Sequence, residues 1–310
     1  MKAVTVRHFG APDVLEFDDL PVPGVPDEHV RIRVVASCVN PIDLSVRAGR
    51  LTAAGLMTAQ AVLGLGWDVS GVVDAVGARS DRFEVGRRVI GLRDLLFAGG
   101  AHAEYVTLHE SAVAPAPASV SAELAATIPL NALTADRALA LTGLRRGDTL
   151  LVTGAAGAVG GFVVELAARQ GIRTLAYTRP GSAEAIPGAG VEALAVDSAG
   201  LGAATREIVP GGVDAVVDAA VMGIGAHEAL RGEGTFVALV APFAPPPIRA
   251  TRVVVQEVFA DGARLADLAA LVDAGQLTPR VAETLPLAQA RRAHELAESG
   301  GLRGKVVLTP

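Results

Sequence analysis

The residues of this chain best suited to hold a ligand are three glycines spaced three apart, in Thr153-Gly-Ala-Ala-Gly-Ala-Val-Gly160. They follow a short apolar run of strand type, Leu150, Leu151 and Val152, and precede Val163, Leu166 and Ala167 at helical spacing up to Gly171. A strand that turns on glycine into a helix lets a pyrophosphate approach bare backbone. The helix start then supplies unbonded N–H groups and the positive end of its dipole. Gly154, Ala156, Gly157, Ala158, Val159 and Gly160 are therefore the expected cradle of a dinucleotide. The spacing is not the usual G-x-G-x-x-G, so the strand and helix around it carry this reading. The alternative is a turn required only for close packing of helix on sheet. A phosphate loop for ATP would need Lys and then Ser or Thr after its last glycine, and Gly161 and Phe162 stand there.

The second strand of such a unit ends about 20 residues past the turn, where NAD-binding chains place a carboxylate on the ribose. Here that place reads Thr178-Arg179-Pro180-Gly181-Ser182 and offers no acid. Arg179 would attract a 2′-phosphate, with the Ser182 hydroxyl as a second donor and Thr178 beside them, so NADPH is the expected cofactor. The bland alternative is that Arg179 is a solvated loop residue. The six histidines show no metal-ligand spacing, and neither H-E-x-x-H nor G-x-S-x-G occurs. Cys38 is the only cysteine, which excludes an internal disulfide and a cluster of thiolate ligands and fits a reducing cytoplasm.

The elements that must position these residues fall into two kinds. Up to about Pro117 the chain reads as short strands broken by Gly, Pro and Asp, and Val30-Arg-Ile-Arg-Val-Val-Ala36 alternates most clearly. Further strands are expected at Val69–Val76, Arg88–Leu92 and Ala103–Leu108. From Ser121, an N-cap candidate, one helical pattern runs to near Gly143. After the glycine turn, apolar strands recur at Thr174–Tyr177, Ala193–Val196, Val213–Val217, Phe236–Val240 and Val253–Val255, the rhythm of a doubly wound parallel sheet. Helices around Leu265–Ala274 and Leu287–Ala297 and a strand at Val306–Leu308 close the chain.

With 310 residues and 51% hydrophobic content, two domains and a large core are expected. The net charge of −6, with scattered Arg and only Lys2 and Lys305, leaves no basic face for nucleic acid. The most apolar window, Leu150–Ala168, is interrupted by glycines and Glu165, so it reads as a βα unit and not as a membrane span. The N-terminus alternates like a strand and shows no targeting signal.

Several segments carry a family resemblance: Met1-Lys-Ala-Val, Phe9-Gly-Ala-Pro-Asp-Val-Leu, Val39-Asn-Pro-Ile-Asp-Leu-Ser-Val-Arg-Ala-Gly49, Gly66-Trp-Asp-Val-Ser-Gly, Val85-Gly-Arg-Arg-Val-Ile-Gly-Leu92 and Gly304-Lys-Val-Val-Leu308. Together they resemble the zinc-independent quinone oxidoreductase branch of the medium-chain dehydrogenase/reductases. The resemblance implies an α/β fold, a GroES-like catalytic domain of residues 1–118 with 260–310 around a Rossmann NADP-binding domain of residues 119–259. It also implies NADPH-dependent reduction in a homodimer, with the active site in the cleft between the domains. Asn40 and Thr134 are then expected beside the nicotinamide, with Asp43 and Arg47 supporting the cleft. The alternatives are that Asp43 caps a short helix and that Thr134 is a helix N-cap.

Zinc-dependent members of that superfamily place Cys where Asn40 stands and Gly-His-Glu where Gly66-Trp67-Asp68 stands. An amide and an indole cannot replace thiolate and imidazole on zinc, so the resemblance implies chemistry without a Lewis acid. Quinones and α,β-unsaturated ketones are electrophilic enough for that, and they are the expected substrates. Relatives often carry Tyr where Ser45 stands, and a serine reaches less far and is a poor acid. An enoyl thioester reductase and a non-catalytic NADPH-binding sensor or structural protein are the competing functions.

Overall fold

A computed structural model of the chain describes residues 1–94, 99–181, 186 and 191–310. Short apolar segments separated by turns become the first strands: β1 (Lys2–Val6), β2 (Leu15–Asp19), β3 (His29–Val39), β4 (Leu63–Gly64), β5 (Asp68–Val76), β6 (Arg88–Leu92), β7 (Tyr105–His109) and β8 (Val113–Pro115). Helices α1 (Pro41–Arg47), α2 (Arg50–Ala53) and α3 (Ala122–Ala125) accompany them. The alternation in β3 does what it implies: Val30, Ile32, Val34 and Ala36 are buried, while Arg31 turns out to pair with Asp74 at 2.6 Å. Val69, Val73, Val89, Val106 and Val113 from the neighbouring strands fill the same core. The strand expected from Ala103 starts two residues later, because Ala103 itself is bridged to Ala3.

The single helix expected from Ser121 is two helices. Ser121 caps α3 through the Leu124 N–H at 3.4 Å, but α3 ends at Ala125 and α4 (Pro129–Thr142) starts afresh. Pro129 explains the break, since it has no N–H to continue a ladder and disfavours helical geometry at Ile128.

After α4 the chain alternates: β9 (Thr149–Thr153), α5 (Ala158–Gln170), β10 (Arg173–Thr178), β11 (Glu192–Ala195), α6 (Leu201–Ile208), β12 (Val213–Asp218), α7 (Ile224–His227), β13 (Leu230–Ala238) and β14 (Arg252–Val255). These six strands form a parallel sheet in the order β11-β10-β9-β12-β13-β14. The buried runs of Leu, Val and Ala in β9, β10 and β12 are those of strands covered on both faces. The chain winds outward from β9 through β11, then returns to the other side of β9 with β12. That reversal leaves a crevice at the carboxyl ends of β9 and β12, the position where such sheets bind ligands.

The last elements are α8 (Gly262–Asp273), β15 (Val281–Pro286), α9 (Ala290–Ser299) and β16 (Lys305–Thr309). Strand β16 pairs antiparallel with β3, setting Val306 against Val39 and Leu308 against Ser37, and β15 joins its other side. The chain thus forms two compact units. One holds Met1–Leu130, Phe259–Gly275 and Pro279–Pro310; the other holds Asn131–Val258 and Gln276–Thr278. Among the described residues, no helix is long and apolar enough to cross a membrane.

Candidate active site

In the first unit, the end of β3 runs straight into α1, and Asn40 is the residue at the junction. Pro41 follows at the first helical position, where its missing N–H costs nothing. Asp43, one turn into the helix, reaches back to accept the Asn40 backbone N–H at 2.9 Å through Oδ2. Its other oxygen accepts the Gly66 N–H at 2.8 Å. Only glycine fits there: Gly66 has φ of 97°, and a Cβ would lie 2.4 Å from the His102 nitrogen. Asp43 is therefore a helix cap, as one reading of the sequence had it, and also a tie between α1 and the strand entering β5.

The Asn40 side chain is buried and meets Asp68, the first residue of β5, with Nδ2 donating to Oδ2 at 2.6 Å. Asp68 Oδ1 accepts the Leu130 N–H at 2.6 Å. Burial pushes the Asp68 carboxyl up to about 7, against the pull of its two hydrogen bonds. Among the described residues, Asn40 Oδ1 has no hydrogen-bond partner. With one amide proton committed to Asp68, the free function of Asn40 is thus an acceptor.

Arg47 ends α1 as a buried cation that donates to the Gly10 carbonyl (3.1 Å), to His294 Nδ1 (3.2 Å) and to Glu298. Because Arg47 has no acceptor, His294 carries its proton on Nε2, and burial beside His102 and Arg47 drives its basicity down to about 2. His102, also buried, lies across from it with ring centroids 6.0 Å apart and donates Nε2–H to the Cys38 carbonyl at 3.2 Å. The Cys38 thiol is held well above its usual range by burial, which makes it an inert core residue. Ser45 is half-buried on the same helix. Among the described residues, no three His, Cys, Asp or Glu side chains are grouped as metal ligands.

In the second unit the glycine turn has the expected form. Gly154 takes φ of 63°, Gly157 is the N-cap of α5 with no side chain capping it, and a Cβ on Gly160 would lie 2.3 Å from the Gly154 oxygen. The N–H groups of Ala158, Val159 and Gly160 therefore head the helix with no intrahelical acceptor, beside backbone that no side chain covers. Ala156 is half-buried in the turn. A pyrophosphate fits this cradle. At the end of β10, Thr178 is buried and Arg179 is exposed, without an ion-pair partner among the described residues. Ser182 lies outside the described residues. Thr134 is buried inside α4, five residues past its start, so the reading of Thr134 as an N-cap is wrong. The helix that holds it starts at Pro129.

Known proteins place this arrangement. Residues 26–118 match the alcohol dehydrogenase GroES-like domain family and residues 190–308 the zinc-binding dehydrogenase family. A 2-methylene-furan-3-one reductase from Solanum lycopersicum is 30% identical, over 100% of this chain and 79% of the relative. A quinone oxidoreductase from Lama guanicoe is 29% identical over 99% of this chain and 97% of its own. A mycobacterial protein solved in complex with NADPH is 30% identical, with both chains covered in full and a TM-score of 0.84. This chain belongs to the quinone oxidoreductase branch of the medium-chain dehydrogenase/reductases.

The motifs of this branch told where Asn40, Asp43 and Arg47 stand, but not the partners of this medium-chain reductase's buried groups. Asp68 entered the sequence reading only as a lost zinc-site residue, and its bond to Asn40 spans 28 positions of chain. His102 and His294 carried no spacing signal at all. Asp218 had a weak one: a carboxylate closing the strand Val213–Val217, at the edge where ligands bind.

Proposed function

We propose that this protein is an NADPH-dependent, zinc-independent oxidoreductase that transfers hydride to quinones or activated α,β-unsaturated carbonyls. The observation that carries the cofactor is the uncapped start of α5 above a turn that a Cβ at Gly160 would fill, with Arg179 exposed past the neighbouring strand. The kinship with quinone and enone reductases supports the acceptor class. NADPH, when bound, supplies the hydride.

The chain's own residues bind and orient. Ala158, Val159 and Gly160 offer N–H groups to the pyrophosphate, and Arg179 takes the 2′-phosphate, with Thr178 and, from its place in the sequence alone, Ser182 as further donors. Asn40 and Thr134 are assigned to the nicotinamide and the substrate, while Asp43 and Arg47 fix the helix that starts at Asn40. Zinc independence rests on residue chemistry: an amide bonded to a carboxylate occupies the place of the thiolate. Ser45 is too short and too weak an acid to protonate the product, so solvent does. The catalytic domain is the unit of Met1–Leu130, Phe259–Gly275 and Pro279–Pro310, and the cofactor domain that of Asn131–Val258 with Gln276–Thr278, so residues 119–130 go with the first.

The assembly we propose is a homodimer in the cytoplasm. Strand β14 is the last of its sheet and offers an unpaired edge, with Val240, Phe243 and Ile248 exposed nearby. The lone buried Cys38 suits a reducing compartment. Consumption of NADPH in the presence of quinones, enones and crotonyl-type thioesters tests the function. Turnover with the first two classes is expected. Turnover confined to thioesters would make this an enoyl reductase, and cofactor binding without any turnover would overturn the catalytic reading.

A further inference from the structure

The crevice between β9 and β12 contains a side-chain clamp with no part in the pyrophosphate cradle. Thr153 and Asp218 end these two strands and stand opposite each other in register. Both are buried, and Thr153 Oγ1 donates to Asp218 Oδ1 at 2.6 Å. The same carboxylate accepts the N–H groups of Met222 at 3.0 Å and Gly223 at 2.8 Å, while Thr153 Oγ1 accepts that of Ala220 at 2.9 Å. Three N–H groups of the loop after β12 are thus held by two side chains.

Inside this loop Val221 has φ of 59°, a left-handed conformation that a β-branched residue resists. Such strain persists only where the surroundings impose it, and it gathers at sites of function. The loop also abuts the glycine turn: a Cβ on Gly154 would come within 3.2 Å of the Ala219 carbonyl carbon and the Ala220 nitrogen. Turn and loop are the two lips of one crevice. Ala220 is exposed and Val221 and Met222 are half-buried, so the loop offers an apolar wall.

We propose that Asp218, acting through Thr153 and the loop N–H groups, holds Val221 in this conformation as a preformed seat for the nicotinamide riboside half of NADPH. The assignment rests on the cofactor reading above. With the pyrophosphate at α5 and the 2′-phosphate at Arg179 past β10, the adenosine lies on the β10 side, which leaves the β12 side to the other nucleoside. Asp218 and Val221 are positioning residues in this scheme, lowering the cost of ordering the crevice when the cofactor enters.

Calorimetric titration of the full chain with NADPH and with 2′,5′-ADP, which carries only the adenosine half, tests this. Asp218→Asn and Val221→Gly should each weaken NADPH by about tenfold and change 2′,5′-ADP by less than about twofold. Val221→Gly removes no hydrogen bond and relieves the strain, so it should melt no lower than wild type, and it decides the matter if Asp218→Asn does not fold. Unchanged NADPH affinity in Val221→Gly, or equal losses for both ligands, would overturn the proposal. A wild type that binds neither ligand would overturn the NADPH reading, and this assignment with it.

Discussion

Asp68 shows how a single buried carboxyl sets a pH dependence. An unfolded aspartate titrates near 3.9 and the folded one near 7, so between these values the unfolded chain releases a proton that the folded chain keeps. Stability therefore falls as pH rises through that window and levels above it. Asp68→Asn does not titrate, and its stability relative to wild type should improve by roughly 2–4 kcal/mol between pH 5 and 8. Urea unfolding at the two pH values measures this; a gap that stays constant would mean that Asp68 is ionised throughout. Arg179 is the residue on which coenzyme choice depends. Arg179→Ala should weaken NADPH by about tenfold or more and NADH hardly at all, as read by fluorescence titration. Equal losses would mean that another group meets the phosphate. Asn40 was singled out by a family motif and Arg179 by its place at the end of a strand, and the roles given to both are proposals. The Asn40–Asp68 bond was not legible, since pairing across two strands leaves no local mark.

Among the elements, five of the six parallel strands were legible to within a residue from their short apolar runs, whereas β13 starts at Leu230, six residues before the expected Phe236, because Arg231, Gly232, Glu233 and Gly234 interrupt its pattern. Strand β15 was not legible: it pairs on one side only, and the half-buried Glu283 and the terminal Pro286 dilute any pattern. The break between α3 and α4 was signalled by Pro129 alone, against an unbroken apolar period. The glycine turn gives the sharpest element-level prediction. Gly160→Ala would place a methyl group against the Gly154 carbonyl, which is backbone and cannot swing aside, so α5 must lift off the turn. A stability loss of about 1–3 kcal/mol is expected, together with weaker NADPH binding. At Gly157 the nearest atom to an added Cβ is 3.2 Å away, so Gly157→Ala should destabilise less. Thermal melts of both variants with and without NADPH check the order.

For the whole molecule, the open edge of β14 and the exposed apolar side chains near it make the state of association a measurable quantity. Sedimentation should show a dimer. Val255, exposed on β14, would face a partner strand closely, so Val255→Asp should shift the chain to monomers at micromolar concentration. A wild type that sediments as a monomer would place the dimer contact out of consideration. The division into two units was announced by the change of periodicity near Ser121, ahead of the boundary after Leu130, whereas the return of the C-terminal strand to the first unit came from the family resemblance alone, because no local feature of Val306–Leu308 names its neighbour.

The pairing of β16 with β3 has a consequence for how the polypeptide is made. On the ribosome, the segment from Ser37 to Val39 emerges early and must wait, one flank bare, for Val306–Leu308, which are made long after it. The six-stranded sheet, whose strands are all drawn from the stretch between Thr149 and Val255, can close in the meantime. Maturation therefore proceeds from the inserted part outward, and the host part is sealed only after β16 has emerged.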